Sequence, residues 1–247
     1  MDGKIIYEVI RVINYIPLFL EEHFLRFQNS ASILQIAIPE IGFVKNSIQR
    51  LIETNNLHTG NIRFQISATN KKPAIWDCWI TPHHYPNQTQ VEEGVKTGLY
   101  QAIRPTPNVK IWYQDLRQNT EQYLKETGFS EVLLTNNGMI TEGSRSNCFF
   151  VSTNQIFTQE SQLVLPGVTR NVLIKLIQNM GITLVETLIH VDELNRFQSA
   201  FLTSTSFGVL PIQSIDDQSF LVNNPLIQQL YLAYRETCEN DLKHFVW

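Results

Sequence analysis

Apolar positions along the chain repeat at two different periods, and the change from one to the other marks out the expected elements. Residues 4–13 (KIIYEVIRVI) are rich in β-branched and aromatic side chains and predict a strand, with a second short one at Leu18-Phe19-Leu20. From Glu21 to about Ile36 the period lengthens. Phe24, Phe27, Ala31 and Leu34 fall at three- and four-residue steps, and from about Ile41 to Thr54 Phe43, Ile48, Leu51 and Ile52 repeat the pattern, so two helices are expected. Asn55, Asn56 and Gly60 then break the pattern. Residues 63–68 and 74–80 predict a strand pair joined through Asn70-Lys71-Lys72-Pro73, and residues 95–102 a further strand.

The stretch Arg104-Pro105-Thr106-Pro107-Asn108 is the best linker candidate, because each proline restricts itself and its predecessor to extended geometry. It divides the chain into an N-terminal α/β domain (1–104), a linker (105–108) and a C-terminal α/β domain (109–247). In the second domain a helix from about Tyr113 to Thr127 is expected to end at Gly128. Short strands follow at 131–135, 139–142, 147–152 and 155–158, arranged around the Asn136-Asn137-Gly138 turn. A helix opens after Pro166-Gly167. A strand at 182–189, a short helix near 191–196, a strand at 199–205 and a final helix from about Asn224 to Phe245 complete the order. The fold class is α/β (α+β), with no internal repeat.

Composition sharpens this picture by exclusion. With 43% hydrophobic and 17% charged residues, the chain has the make-up of a packed globular protein. A net charge of −4 and a pI near 5.9 give no basic face for nucleic acid. No run approaches the roughly 18 apolar residues of a membrane span. The start, Met1-Asp2-Gly3-Lys4, leads into a stretch interrupted by Glu8 and Arg11, unlike a signal peptide, so a cytoplasmic location is expected. Cys78, Cys148 and Cys238 are far apart and odd in number. They fit buried reduced thiols better than a disulfide framework or a zinc site, and no metal site is expected.

Three segments carry candidate chemistry. Thr141-Glu142-Gly143-Ser144-Arg145-Ser146-Asn147 is a polar loop with a carboxylate between two apolar strands, either a binding loop or a plain hairpin connection with a solvated Glu. Leu165-Pro166-Gly167-Val168-Thr169-Arg170 opens a helix whose first N–H groups suit an anion such as phosphate, while Thr169 also reads as a simple N-cap. Leu202-Thr203-Ser204-Thr205-Ser206 places four hydroxyls at a strand end, where α/β folds tend to bind ligands, and reads equally as a Ser/Thr-rich turn.

Together with Tyr7-Glu8-Val9-Ile10-Arg11-Val12 and Glu22-His23-Phe24-Leu25-Arg26-Phe27, these segments resemble, in order and spacing, the class IV family of pyridoxal-phosphate enzymes. That family includes branched-chain aminotransferases, D-amino acid aminotransferases and 4-amino-4-deoxychorismate lyases. The resemblance runs from about Tyr7 to the C-terminus. It implies a two-domain fold of the D-amino acid aminotransferase type, with pyridoxal 5'-phosphate held in the cleft between domains, amino acid and keto acid substrates, and a homodimer. In the family the cofactor lysine lies eighteen residues before a Gly that ends a helix, so Gly128 points back to Lys110.

The resemblance further implies that Lys110 carries the cofactor and moves the proton at the substrate Cα, and that Glu142 meets the ring nitrogen. Arg26, the backbone of Val168 and Thr169, and Ser204 with Thr205 would hold the phosphate. Tyr7 and Arg11 would line the substrate side, and Ser206 would offer it a backbone amide. Two departures stand out. The chain reads Lys110-Ile111-Trp112-Tyr113-Gln114 where the family has Asn at the third position after the lysine. Ser67-Ala68-Thr69-Asn70 lacks the Arg and His with which D-amino acid aminotransferases grip the substrate carboxylate, which points away from that subtype. The expected activity is transamination of an amino acid, branched-chain amino acids among them. The alternatives are the lyase and a cofactor-binding protein that has lost catalysis.

Overall fold

A computed structural model describes residues 4–69, 72–83 and 85–247, and the expected turn at Asn70 and Lys71 lies outside the described residues. The chain forms two compact units. The first comprises Met1–His84, Val109–Trp112 and Arg235–Trp247, and the second Tyr85–Asn108 and Tyr113–Tyr234. This division differs from one at the 105–108 linker, since residues 85–104 belong with the second unit while Val109–Trp112 and the last thirteen residues belong with the first.

The first unit holds a four-stranded antiparallel sheet in the order β2-β1-β3-β4, with β1 at Lys4–Ile13, β2 at Ile16–Pro17, β3 at Thr59–Thr69 and β4 at Lys72–Thr81. The register pairs Ile6 with Ile66, Glu8 with Phe64 and Ile10 with Ile62, so one face is apolar apart from Glu8. The opposite face pairs Tyr7 with Gln65, Val9 with Arg63 and Arg11 with Asn61, and continues onto Asp77 and Trp79 of β4. Helix α1 (Leu20–Ile33) covers the apolar face, its Phe27 ring meeting Phe64 edge-on at 5.1 Å. Helix α2 (Ile41–Asn55) buries Val44, Ile48 and Ile52 and ends where Asn56 turns left-handed. The short second strand lies at Ile16–Pro17 and not at 18–20. Phe19 is left-handed (φ 53°) and begins α1, and its N–H donates to Asp241 Oδ2 at 2.7 Å.

The second unit holds a ten-stranded mixed sheet. Its strands are β5 (Val95–Gln101), β6 (Glu131–Asn136), β7 (Met139–Gly143), β8 (Asn147–Ser152), β9 (Gln155–Thr158), β10 (Thr183–Glu186), β11 (Ile189–His190), β12 (Ser199–Ser204), β13 (Gly208–Ile215) and β14 (Gln218–Ser219). They run β10-β9-β8-β12-β13-β5-β6-β7-β11, with β14 beside β13. Its helices are α3 (Gln88–Glu93), α4 (Gln114–Thr127), α5 (Val168–Asn179) and α6 (Pro225–His244), the last of which extends into the residues of the first unit. Strands β5 and β6 are parallel and joined through α4, so the chain between them, residues 102–113, is where Lys110 lies. Asn137 (φ 49°) and Gly138 (φ 77°) form the tight hairpin turn between β6 and β7, and Gly128 (φ 74°) closes α4.

Two strand readings change. The stretch 182–189 is two strands with different neighbours, β10 beside β9 and β11 beside β7, because residues 187 and 188 leave the ladder. Strand β13 went unread because Pro211 sits in its middle, and proline offers no N–H to a ladder. It nevertheless joins β12 to β5. No helix among the described residues is long and apolar enough to cross a membrane. The three cysteines are free thiols, and burial pushes both Cys78 and Cys148 up to about 12.

Candidate functional site

The first unit gathers charged and aromatic residues around β1. Residues 109–112 run along the edge of this strand. Tyr7 N–H donates to Lys110 O at 3.1 Å, Trp112 N–H donates to Ile5 O at 2.8 Å, and Ile6 bridges Ile111. The Lys110 N–H donates to Ser30 Oγ of α1 at 3.2 Å. The lysine Nζ sits 4.7 Å from the centre of the Tyr7 ring. Tyr7 also faces the guanidinium of Arg63 at 4.4 Å, and Arg63 lies 4.3 Å from the Trp112 ring. The sheet face that carries Tyr7 and Arg11, the expected substrate residues, is thus polar, aromatic and positively charged. Arg63 had no place in the sequence reading. The signal was there, because it occupies an outward position of β3 in register with Val9, between Tyr7 and Arg11.

On the other face Glu8 is fully buried. Arg26 holds it with two hydrogen bonds, Nε to Oε1 at 2.8 Å and Nη2 to Oε2 at 2.6 Å, and His23 Nδ1 lies 2.7 Å from Oε2. Burial by itself would raise the Glu8 carboxyl, but the charge and hydrogen bonds of Arg26, with those of His23, outweigh it and bring it to about 2. His23 is lowered, first by its own burial. Helical spacing explains the cluster, since positions 23, 26, 27 and 30 share one face of α1. Two donors on one edge of the expected phosphate ligand Arg26 are therefore committed to Glu8. Glu8 was legible as a charge at an inward position of an alternating strand, Ile6-Glu8-Ile10-Val12, where a carboxylate needs a buried partner.

The second unit gathers the remaining candidates. Glu142, near the end of β7, is buried, and Arg104 Nε donates to its Oε1 at 2.6 Å. The N–H of Leu165 donates to its Oε2 at 3.1 Å. A carboxylate has about four acceptor sites, so each oxygen keeps one for a further donor. The sequence places Arg104 only at the start of the linker. Its signal was its position as the one cation beside two prolines.

Asn147 opens β8 and donates Nδ2 to Leu165 O at 3.0 Å. Two residues on, Gly167 is the N-cap of α5 and offers no side chain. A Cβ there would strike Asn147 Oδ1, so this glycine is required by its neighbour and not by its backbone angle (φ −58°). Thr169 lies inside the helix and does not cap it. The first amides of α5, Val168 and Thr169 among them, have no side-chain cap. At the end of β12 the hydroxyls of Thr203 and Ser204 are buried without a hydrogen-bond partner among the described residues, and Thr205 and Ser206 follow in the turn to β13. Asn147 and Thr203 are paired across β8 and β12, which ties these segments into one sheet.

Comparisons with known proteins agree with this arrangement of motifs. The family model described as amino-transferase class IV matches residues 5–215. A D-alanine aminotransferase of Bacillus licheniformis is 28% identical over 235 residues, 88% of this chain and 81% of that protein. A Legionella pneumophila protein described as a 4-amino-4-deoxychorismate lyase shares the fold with a TM-score of 0.86 at 22% identity, covering 95% of this chain and 91% of its own. A branched-chain amino acid aminotransferase from T.th., solved with pyridoxamine 5'-phosphate, shares it with a TM-score of 0.82 at 23% identity, covering 96% and 86%. With four-fifths of its length matched by one family model and its motifs in that family's order, this chain belongs to the class IV aminotransferase family of enzymes.

Proposed function

We propose that the protein is a pyridoxal-phosphate-dependent aminotransferase acting on an amino acid, with Lys110 as the residue that carries the cofactor. The observation that carries this reading is Glu142, a buried carboxylate clamped by Arg104 and Leu165 yet with acceptor sites to spare. The chain also fits the phosphate. The uncapped start of α5 and the unpartnered Ser204 hydroxyl are donors that an acceptor-only anion would satisfy.

When bound, pyridoxal phosphate supplies an electron sink for negative charge at the substrate Cα. Glu142 keeps a proton on the ring nitrogen by placing a negative charge beside it. Lys110 Nζ would move the proton between the substrate Cα and the cofactor's C4′ carbon, in opposite directions in the two halves of the reaction. Arg26, the amides of Val168 and Thr169, Ser204 and Thr205 hold the phosphate. Tyr7 and Arg11 line the substrate side, and the Ser206 amide meets the substrate. Branched-chain amino acids are the substrates proposed first, because the end of β3 lacks the Arg of the D-specific pattern. The second reading, 4-amino-4-deoxychorismate lyase, is favoured by Arg63, whose guanidinium lies against the Tyr7 and Trp112 rings and suits a ring-bearing carboxylate.

Borohydride treatment of the cofactor-loaded protein is expected to fix the cofactor covalently on Lys110, as read by peptide mapping. An adduct on Lys96 or Lys125 overturns the site. Turnover measured in parallel with branched-chain amino acids, D-alanine and aminodeoxychorismate separates transaminase from lyase, and no turnover of any leaves a cofactor-binding protein. We propose a homodimer as well, as most soluble oligomers are closed and symmetric. Light scattering across a dilution series tests it, and a monomer at every concentration rejects it.

A further inference from the structure

Glu131 opens β6 with 4% of its surface exposed and is not among the residues proposed to meet cofactor or substrate. Its carboxylate accepts four hydrogen bonds. Oε1 takes Ser144 Oγ at 2.6 Å and the N–H of Val132 at 2.9 Å, while Oε2 takes Ser146 Oγ at 2.9 Å and the N–H of Arg145 at 3.1 Å. Three of these donors belong to the loop between β7 and β8, whose two ends are Glu142 and Asn147. The loop is tightened further by Gly143 N–H to Ser146 O at 2.8 Å and Ser144 N–H to Val132 O at 3.0 Å. From its ends the constraint passes to one residue. Leu165 gives its N–H to Glu142 and takes Asn147 Nδ2 on its carbonyl. Leu165 lies two residues before Gly167, where α5 begins.

We infer that Glu131 is a positioning residue, the hub that fixes the Glu142 carboxylate and, through Leu165, the start of α5 as one rigid piece. Its consequence for turnover rests on the reading of Glu142 proposed above, whereas its effect on the loop does not. The chemistry of the hub is specific, because a carboxylate only accepts and each of its oxygens faces one backbone N–H. Glu131→Gln keeps the volume but turns one of these oxygens into an NH₂ group. Whichever way the amide points, either Val132 or Arg145 is left with an N–H facing a donor.

The test measures residue-resolved amide exchange and steady-state kinetics on Glu131→Gln beside Ile156→Ala, a void in β9 that is buried and takes no part in the hub. In Glu131→Gln the Arg145 and Leu165 amides are expected to exchange about tenfold faster or more, because local opening exposes them. The kcat is expected to fall about tenfold to a hundredfold with KM for the amino donor nearly unchanged, as misplacement of a catalytic group does. Ile156→Ala is expected to show neither effect. Unchanged exchange at Leu165 overturns the inference, and so does a kcat loss in Ile156→Ala equal to that in Glu131→Gln. If Glu131→Gln does not fold, Ser146→Ala removes one donor and is expected to show the same pattern in weaker form. Glu142→Gln separates the two readings. Full turnover there rejects Glu142 as the ring-nitrogen partner, while the exchange measurement still decides Glu131.

Discussion

At the scale of single residues, the charges buried in the first unit do more than one task. Arg26 is an expected phosphate ligand, yet two of its donors hold Glu8, so Arg26→Ala removes a structural partner along with any cofactor contact. Breaking a buried pair in this way costs about 3–5 kcal/mol, because the remaining charge has no compensation. The pair also sets a pH window. The Glu8 carboxyl is lowered from 4.5 to about 2, so its contribution is present above pH 4.5 and is lost as pH falls towards 2. That shift corresponds to roughly 3 kcal/mol. His23, lowered from 6.5, acts in the same direction, since a buried neutral imidazole must be charged in acid. Chemical denaturation from pH 7 to pH 2 should therefore show Glu8→Gln less stable than the parent at pH 7, with the gap closing below pH 4.5. A gap that stays constant would reject the assignment. Lys110, Glu142 and Arg26 stand out as candidates because their residue types and spacing are visible in one dimension. Arg104, Arg63 and Glu131 carry only weak local signals, because each takes its role from partners that the fold brings to it, such as Arg104 from Glu142.

At the scale of elements, the junction of β8 with α5 depends on a missing side chain. Gly167 has an ordinary φ, so an alanine there suffers no backbone strain, only the collision with Asn147 Oδ1. Gly167→Ala should displace the Asn147 amide from Leu165 O and lower stability. Combined with Asn147→Ala, which removes the obstruction, it should cost much less than the sum of the single changes. Coupling of about 0.5–3 kcal/mol is usual for residues in contact, and thermal unfolding of the four proteins in the cycle measures it. Additive losses would mean the two residues do not meet. Most elements were readable from periodicity and punctuation, as in β1, α2 and the α4 stop at Gly128. The failures share a cause. Pro211 in β13, the break at residues 187 and 188, and the left-handed Phe19 are places where pairing across the sheet or a distant side chain overrode the local signal.

At the scale of the whole molecule, the first unit is assembled from three separated stretches of chain. The last of them contributes Asp241, which accepts the Phe19 N–H at the start of α1, and Val246, whose carbonyl accepts from Lys45 Nζ at 2.7 Å. Burial raises Asp241 to about 6, with Glu22 and Glu21 adding to the shift and the Phe19 hydrogen bond opposing it. For an acid raised in the folded state the sign is reversed, and stability falls as pH rises from 3.8 through 6. Asp241→Asn, which keeps an acceptor for Phe19 without the charge, should raise the melting temperature at pH 8 and leave it unchanged at pH 3.5. An equal gain at both pH values would show that the charge is not the cause.

The three-stretch make-up of that unit has a bearing on how the protein is made. Its first 84 residues leave the ribosome without the Lys110 stretch or the closing segment, and residues 85–234 must be translated before the latter appears. At ~5–20 residues per second that interval lasts roughly 8–30 seconds. Throughout it Glu8, His23 and Arg26 are already available to one another and Phe19 awaits Asp241, while the edge of β1 awaits residues 109–112 for the first ~1–6 seconds. An exposed strand edge held open for seconds is a site where nascent chains can pair wrongly, or where a chaperone can bind.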